Sequence, residues 1–325
     1  MQGARVNNEV PSRITGLFPA PCIPFNSDLS IAEEEFSAHI ADMGAQHGVG
    51  GVAVNGHAGE IASLTDAEQL RVVELARAAL PPEKLVIAGV DASIPAAMVR
   101  TIRDTHAAGA DAVLVLPPFD SMARRMLSRQ PAAVTGFFAE LASADVPMVV
   151  FQYPVTTGCS YPTEVLAEIA SIDQVVAVKN AVWNSEFYAE QFEAVQGRAK
   201  VLAACDAPEL LTMMFTGCDG LLLGASSVAT DLWATFVTDV LAGRHDEARN
   251  VFVPRLMPLL DAFFGTTRPR SATFTALTKE AQRQLGVFAN SLMRAPEVSP
   301  DATDRAVIEK AIERAGLRGR AVTTR

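Results

Sequence analysis

The hexapeptide Val175-Val176-Ala177-Val178-Lys179-Asn180 ends a run of strand-forming apolar residues on a lysine. Apolar surroundings penalise an ammonium, so its pKa falls and a neutral amine becomes available to attack a carbonyl carbon. Such an amine is the nucleophile of imine-forming enzymes. Lys84, Lys179, Lys200, Lys279 and Lys310 are the only lysines, and only Lys179 closes an apolar strand pattern. A strand-end lysine also occurs as a snorkelling or salt-bridged residue, so its surroundings decide what it does.

Other segments carry groups able to hold or move charge. In Asn55-Gly56-His57-Ala58-Gly59-Glu60, Gly56 and Gly59 bracket a tight turn whose backbone N–H groups can receive a carboxylate. Between them His57 is a proton donor or shuttle suited to neutral pH, although a lone histidine also serves structural roles. Phe151-Gln152-Tyr153-Pro154 closes another apolar run, as do Pro117-Pro118-Phe119 and Leu222-Leu223-Gly224. Cys22, Cys159, Cys205 and Cys218 are far apart, without a Cys-x-x-Cys pair and with five histidines in the whole chain. They read as buried reduced thiols, and no metal site is expected.

The elements that position these residues repeat. Strand signals fall at Leu17 to Pro24, Val49 to Asn55, Leu85 to Val90, Ala112 to Pro118, Met148 to Tyr153, Val175 to Asn180, Val201 to Cys205 and Leu221 to Ala225. Segments of helical spacing separate them, such as Asp66 to Leu80. Ala108-Gly109-Ala110-Asp111-Ala112 and Thr216-Gly217-Cys218-Asp219-Gly220 repeat one joint, a helix-ending glycine and an aspartate before a strand. Eight near-continuous apolar strands alternating with helices predict an α/β fold, a (β/α)8 barrel of the TIM type over residues 14–244. No Gly-x-Gly-x-x-Gly follows the first strand, which argues against a dinucleotide site. Three helical stretches, Asp246 to Phe264, Ser271 to Phe288 and Pro300 to Ala315, predict a C-terminal helical extension over 245–317. Residues 1–13 read as an N-terminal extension and 318–325 as a tail.

The chain has 325 residues, 49% hydrophobic and 20% charged, with net charge −10. Without a Lys/Arg cluster it has no electrostatic footprint for nucleic acid or an anionic membrane. No secretory h-region precedes residue 13, and the longest nearly apolar stretch, Leu210 to Val237, is broken by Gly217, Asp219, Gly220 and Asp231, so no membrane span is expected. The expected location is cytoplasmic.

Taken together, Gly56-His57-Ala58-Gly59-Glu60, the proline-rich end of strand four, Pro147 to Gly158, Val175 to Lys179 and Asp219-Gly220-Leu221-Leu222 resemble the dihydrodipicolinate synthase and N-acetylneuraminate lyase family of class I aldolases. The likeness runs from about Gly16 to Leu317, collinear throughout. It implies a barrel with C-terminal helices, a homotetramer built as a dimer of dimers or a homodimer, and pyruvate or another 2-oxo acid bound as an imine without a cofactor. Lys179 is then the imine lysine. Gly56, Ala58, Gly59, Phe119, Phe151, Tyr153, Leu222 and Gly224 are the expected substrate-binding positions, with His57 as a second catalytic candidate.

The departures from the family pattern are chemical. Members commonly carry two hydroxyl residues where this chain has His57 and Ala58, and a general acid/base tyrosine where counting back from Pro154 gives Phe151. The family's second tyrosine corresponds to Phe119. Synthases that use aspartate semialdehyde place an arginine two residues after the proline; here Thr156 stands there. The implied activity is an imine-forming aldolase or dehydratase other than dihydrodipicolinate synthase. The alternative is a non-catalytic 2-oxo acid binding or regulatory homologue that has lost the proton relay.

Overall fold

The structure is a computed structural model that describes residues 9–91, 94–118, 124–265 and 269–319. Eight parallel strands form a (β/α)8 barrel: β1 (Gly16–Pro19), β2 (Gly51–Val54), β3 (Leu85–Val90), β4 (Ala112–Val115), β5 (Met148–Gln152), β6 (Val175–Asn180), β7 (Lys200–Ala203) and β8 (Gly220–Leu223). Hydrogen bonding runs β1-β8-β7-β6-β5-β4-β3-β2, and a parallel bridge between Leu17 and Val49 brings the two ends of the sheet together. Six of the expected strands are shorter than their apolar runs. The residues trimmed from their C-terminal ends, such as Asn55, Tyr153 and Ala204, belong to the loops that build the mouth.

Both faces of each strand are buried, which is why the sequence reads as continuous rather than alternating apolar runs. Inward residues such as Val149, Phe151, Leu202 and Ala204 form the interior cluster, while Val150 and Val178 pack with the helical shell. The repeated glycine-to-aspartate joints have a structural purpose. Asp111, just before β4, accepts from Val86 N of β3 at 2.8 Å, and Asp219, just before β8, accepts from Val201 N of β7 at 2.8 Å. Each carboxylate thereby extends the ladder one step at the N-terminal end of the barrel, where it also pairs with Arg77 or Lys200.

The residues before β1 do more than extend the chain. Glu9–Arg13 is a short helix, and Val10 and Ile14, 6% and 0% exposed, join the interior cluster at the barrel's N-terminal end. At the other end of the sequence, His245–Val251, Phe252–Leu256 and Met257–Phe264 form one helical run with a π-helical turn in the middle. Pro254 and Pro258 lack the N–H that the regular ladder needs, which accounts for the widened turn. Two more helices follow, Phe274–Gln284 and Ala302–Arg314. The first of these stops four residues short of the expected Phe288; Gly286, at φ +70°, follows its end. Among the described residues no helix is long and apolar enough to cross a membrane.

Candidate active site

A cavity of about 220 Å³ opens at the C-terminal end of the strands, lined mainly by apolar side chains with Lys179 and Asp206 among them. Lys179 reaches it because Ala177, Lys179 and Ala181 alternate to one face of β6 and its continuation. Burial is the main influence on its ammonium, pulling the pKa down to about 8, and the nearby Asp206 carboxylate opposes the shift only in part. The sequence-derived amine is therefore in place: half-buried, in apolar company and partly neutral near physiological pH.

Strand β5 supplies its neighbour. Phe151 is in register with Lys179, and its ring centre lies 3.7 Å from Nζ. Phe151 thus stands beside the amine and offers it no proton. Two residues on, Tyr153 projects from the same face, its ring 4.5 Å from that of Phe151 in an edge-on arrangement. The Tyr153 hydroxyl is bonded to His57 Nε2 across the cavity mouth. The phenol is therefore displaced along the strand relative to the amine and joined to the histidine. Gln152 faces the opposite way, where its amide exchanges hydrogen bonds with the Tyr161 backbone at 2.8 and 2.9 Å and holds the β5 exit in shape.

The loop after β2 delivers His57. Asn55 and Glu60 both take left-handed backbone conformations, φ +53°, folding Gly56 to Gly59 into a compact turn. Glu60 O and His57 O accept within this turn or the next, but no acceptor among the described residues takes the N–H of Ala58 or Gly59. Gly56, His57 and Ala58 line the cavity, as do Leu222 and Gly224. Gly59 stands behind this wall, where a Cβ would meet Asn55 N at 3.0 Å, so the glycine lets the turn close on itself. Gly224 is constrained from the cavity side, since a Cβ would stand 3.0 Å from the Ala58 Cβ. Phe119 lies outside the described residues.

The sequence reading missed several participants. Asp206 follows β7, and the strand-end rule that picked out Lys179 applies to it as well. Burial pushes its carboxyl up to about 7 against the opposing pull of Lys179. Trp183, Thr157 and Phe274 also line the cavity. Phe274 opens the helix Phe274–Gln284, so the C-terminal extension contributes to the site. The same helix carries Lys279, fully buried, whose Nζ is 2.6 Å from Glu60 Oε1 and donates to Leu292 O at 3.0 Å. Desolvation raises the Glu60 pKa in spite of this partner. The ion pair anchors the far end of the His57 turn to the C-terminal helices. The four cysteines have free thiols; Cys22, Cys159 and Cys205 are buried, whereas Cys218 is half-buried, contrary to the expectation for it. Among the described residues no cluster of three or more His, Cys, Asp or Glu side chains is placed to hold a metal ion.

The model of the dihydrodipicolinate synthetase family matches residues 13–315. A 4-hydroxy-tetrahydrodipicolinate synthase of Methanosarcina barkeri is 28% identical over 256 residues, which cover 78% of this chain and 84% of that protein. Among solved structures, a monomeric dihydrodipicolinate synthase variant superposes with a TM-score of 0.82 at 19% identity, covering 94% of this chain and 98% of that one. A catalytic lysine mutant of the Ruminococcus gnavus sialic acid aldolase gives 0.80 at 17% identity, covering 94% and 96%. At these identities the two structures speak for the fold alone.

Proposed function

Given that the chain belongs to the dihydrodipicolinate synthetase family, we propose that it is an imine-forming lyase, an aldolase or dehydratase that acts on pyruvate or another 2-oxo acid through Lys179 and is not a dihydrodipicolinate synthase. The observation that carries this reading is the Lys179 amine, facing an apolar cavity with its pKa drawn down to about 8. A lysine is nucleophilic only when neutral, and desolvation supplies that form without a cofactor. The N–H group of Ala58, on the cavity wall, is suited to the substrate carboxylate, and the hydrogen-bonded His57 and Tyr153 form a proton path at the mouth. The second substrate or product fragment meets no guanidinium here: Lys179 and His57 are the basic side chains among the described cavity-lining residues. Thr156, at the position of the family arginine, is exposed on the rim.

The test is borohydride reduction in the presence of a panel of 2-oxo acids that includes pyruvate, read by peptide mass. The expected adduct is on Lys179 and absent from Lys179→Ala, and at least one 2-oxo acid is turned over. Labelling elsewhere refutes the assignment of the lysine. Labelling of Lys179 with no turnover of any compound favours the non-catalytic reading instead.

A further inference from the structure

An imine cycle needs a group beside the amine that both gives and takes a proton. Addition of the neutral amine to the C2 carbonyl forms the C–N bond and, after proton transfer from nitrogen to oxygen, a carbinolamine. Expulsion of its hydroxyl as water then consumes one proton from an acid, and later loss of a C3 proton to a base turns the iminium into an enamine. Phe151, beside Lys179 on the β5 side, supplies neither.

On the other side of Lys179 the chain does supply one. Lys179 is in register with Leu202 of β7, and Ala204 N donates to Asn180 O at 2.9 Å, so the continuation of β7 runs directly alongside Lys179. Leu202 and Ala204 point into the barrel, and the two-residue alternation carries Asp206 onto the same face. Asp206 lines the cavity with Lys179, and its Oδ1 is buried with no hydrogen-bond partner. An unpartnered carboxylate oxygen is costly to bury, so its retention in the cavity calls for a use.

We propose that Asp206 is the acid and base of the Lys179 imine cycle, occupying from strand β7 the role that Phe151 cannot fill from strand β5. The inference rests on the Lys179 reading above. Starting from neutral Lys179 and protonated Asp206, the carbinolamine hydroxyl leaves as water with the Asp206 proton; the products are a cationic iminium, a carboxylate and one water. The substrate carboxylate keeps its own charge throughout, so the step changes no total charge, and the new iminium cation forms together with the new Asp206 anion. The resulting Asp206 carboxylate then accepts the C3 proton as the iminium electrons relax into the enamine. The depressed amine and elevated carboxyl fit this exchange, since burial disfavours the charged form of each group and brings their proton affinities closer together. The other titratable groups facing the site are His57 and Tyr153 from the mouth, Cys205 beside Asp206, and Glu209, Asp261 and Arg314 in the adjoining cleft that Asp206 also borders.

Exchange of the C3 hydrogens of pyruvate and of 2-oxobutyrate in D2O, followed by NMR, reports enamine formation without knowledge of the full reaction. In Asp206→Asn the exchange rate is expected to fall about 100-fold or more, while borohydride still labels Lys179 after prolonged incubation. Asp206→Glu restores part of the rate. The wild-type profile is expected to be bell-shaped with limbs near 7 and 8, and Asp206→Asn keeps only a rising limb, shifted to lower pH because the anion beside Lys179 is gone. Exchange in Asp206→Asn within about threefold of wild type overturns the proposal, as does a wild-type profile with a single rising limb, a result that also covers a variant that fails to fold. If no 2-oxo acid of the panel labels wild-type Lys179, the imine reading falls and the role of Asp206 falls with it.

Discussion

The Lys179 ammonium nitrogen lies 3.7 Å from the centre of the Phe151 ring, and the two residues are paired across β5 and β6. An aromatic face at that distance attracts the charged amine, by about 0.5 to 2 kcal/mol. Phe151 therefore opposes the desolvation that makes the amine neutral. Phe151→Leu is expected to move the Lys179 pKa below about 8, by up to about one unit. The pH dependence of Lys179 acylation, followed by peptide mass, reads the shift directly, and an upward shift contradicts this account.

His57 and Tyr153 are joined by a hydrogen bond, so they should act as one device. His57→Ala and Tyr153→Phe are each expected to lower turnover about 100-fold to 10,000-fold once a substrate is in hand, and the double variant little further. Full additivity of the two effects in a double-mutant cycle would separate their roles, and unchanged turnover in His57→Ala removes the histidine from the mechanism.

Lys179 and Asp206 make opposite contributions to stability as pH changes. The Lys179 pKa falls from an ordinary 10.5 to about 8 on folding, so between those values the unfolded chain holds more protons and stability rises with pH. The Asp206 pKa rises from 3.8 to about 7, so the folded chain holds more protons there and stability declines as pH climbs through that window. The pair costs most between about pH 7 and 8. Lys179→Met/Asp206→Asn is expected to be more stable than wild type by about 1 to 4 kcal/mol in that interval. Calorimetric Tm values from pH 4 to 10 should show the gap closing on both sides, and a constant gap refutes the linkage.

The Lys279 and Glu60 ion pair is buried on both sides, at 0% and 4% side-chain exposure. Lys279→Met leaves a desolvated carboxylate and is expected to cost about 3 to 5 kcal/mol. Adding Glu60→Leu should recover most of it in denaturant titrations. A double variant no more stable than Lys279→Met alone would mean that the two residues are not energetically coupled.

Pyruvate with aspartate semialdehyde should be a poor pairing. Loss of an arginine from a desolvated carboxylate costs about 2 to 5 kcal/mol, roughly 30-fold to several thousand-fold in efficiency. An assay coupled to a downstream reductase measures the product. Turnover on the order of 1 to 10 per second would overturn both the specificity argument and the meaning assigned to Thr156.

The barrel is legible in the sequence because each strand is buried on two faces and so announces itself as an unbroken apolar run, while the Gly-x-Asp joints mark where two of them begin. Lys179 is legible for the same reason, being the one charge that interrupts such a run at its end. The pairing of Tyr153 with His57 is not, because it depends on how far each loop lifts its side chain above the sheet. Asp206 directly follows the apolar run Val201 to Cys205, so its place at a strand end is legible, whereas its burial is not, because the strand itself stops at Ala203 and the side chain is enclosed by the loop that follows. The interior Lys279 resembles an ordinary surface lysine on an amphipathic helix; its partner is more than two hundred positions away.

Val10 and Ile14 close the floor of the barrel beneath the layer that holds Lys179. A vessel stoppered at the bottom has one door, and whatever is bound at the amine sits deepest. In the proposed chemistry a second reactant must therefore arrive after the 2-oxo acid, and a fragment released from it must depart first. The sequence of events is that of a stack, last in and first out. On that reading the packed barrel interior, capped below by residues ahead of the first strand, would set the order in which reactants come and go at the opposite end of the molecule.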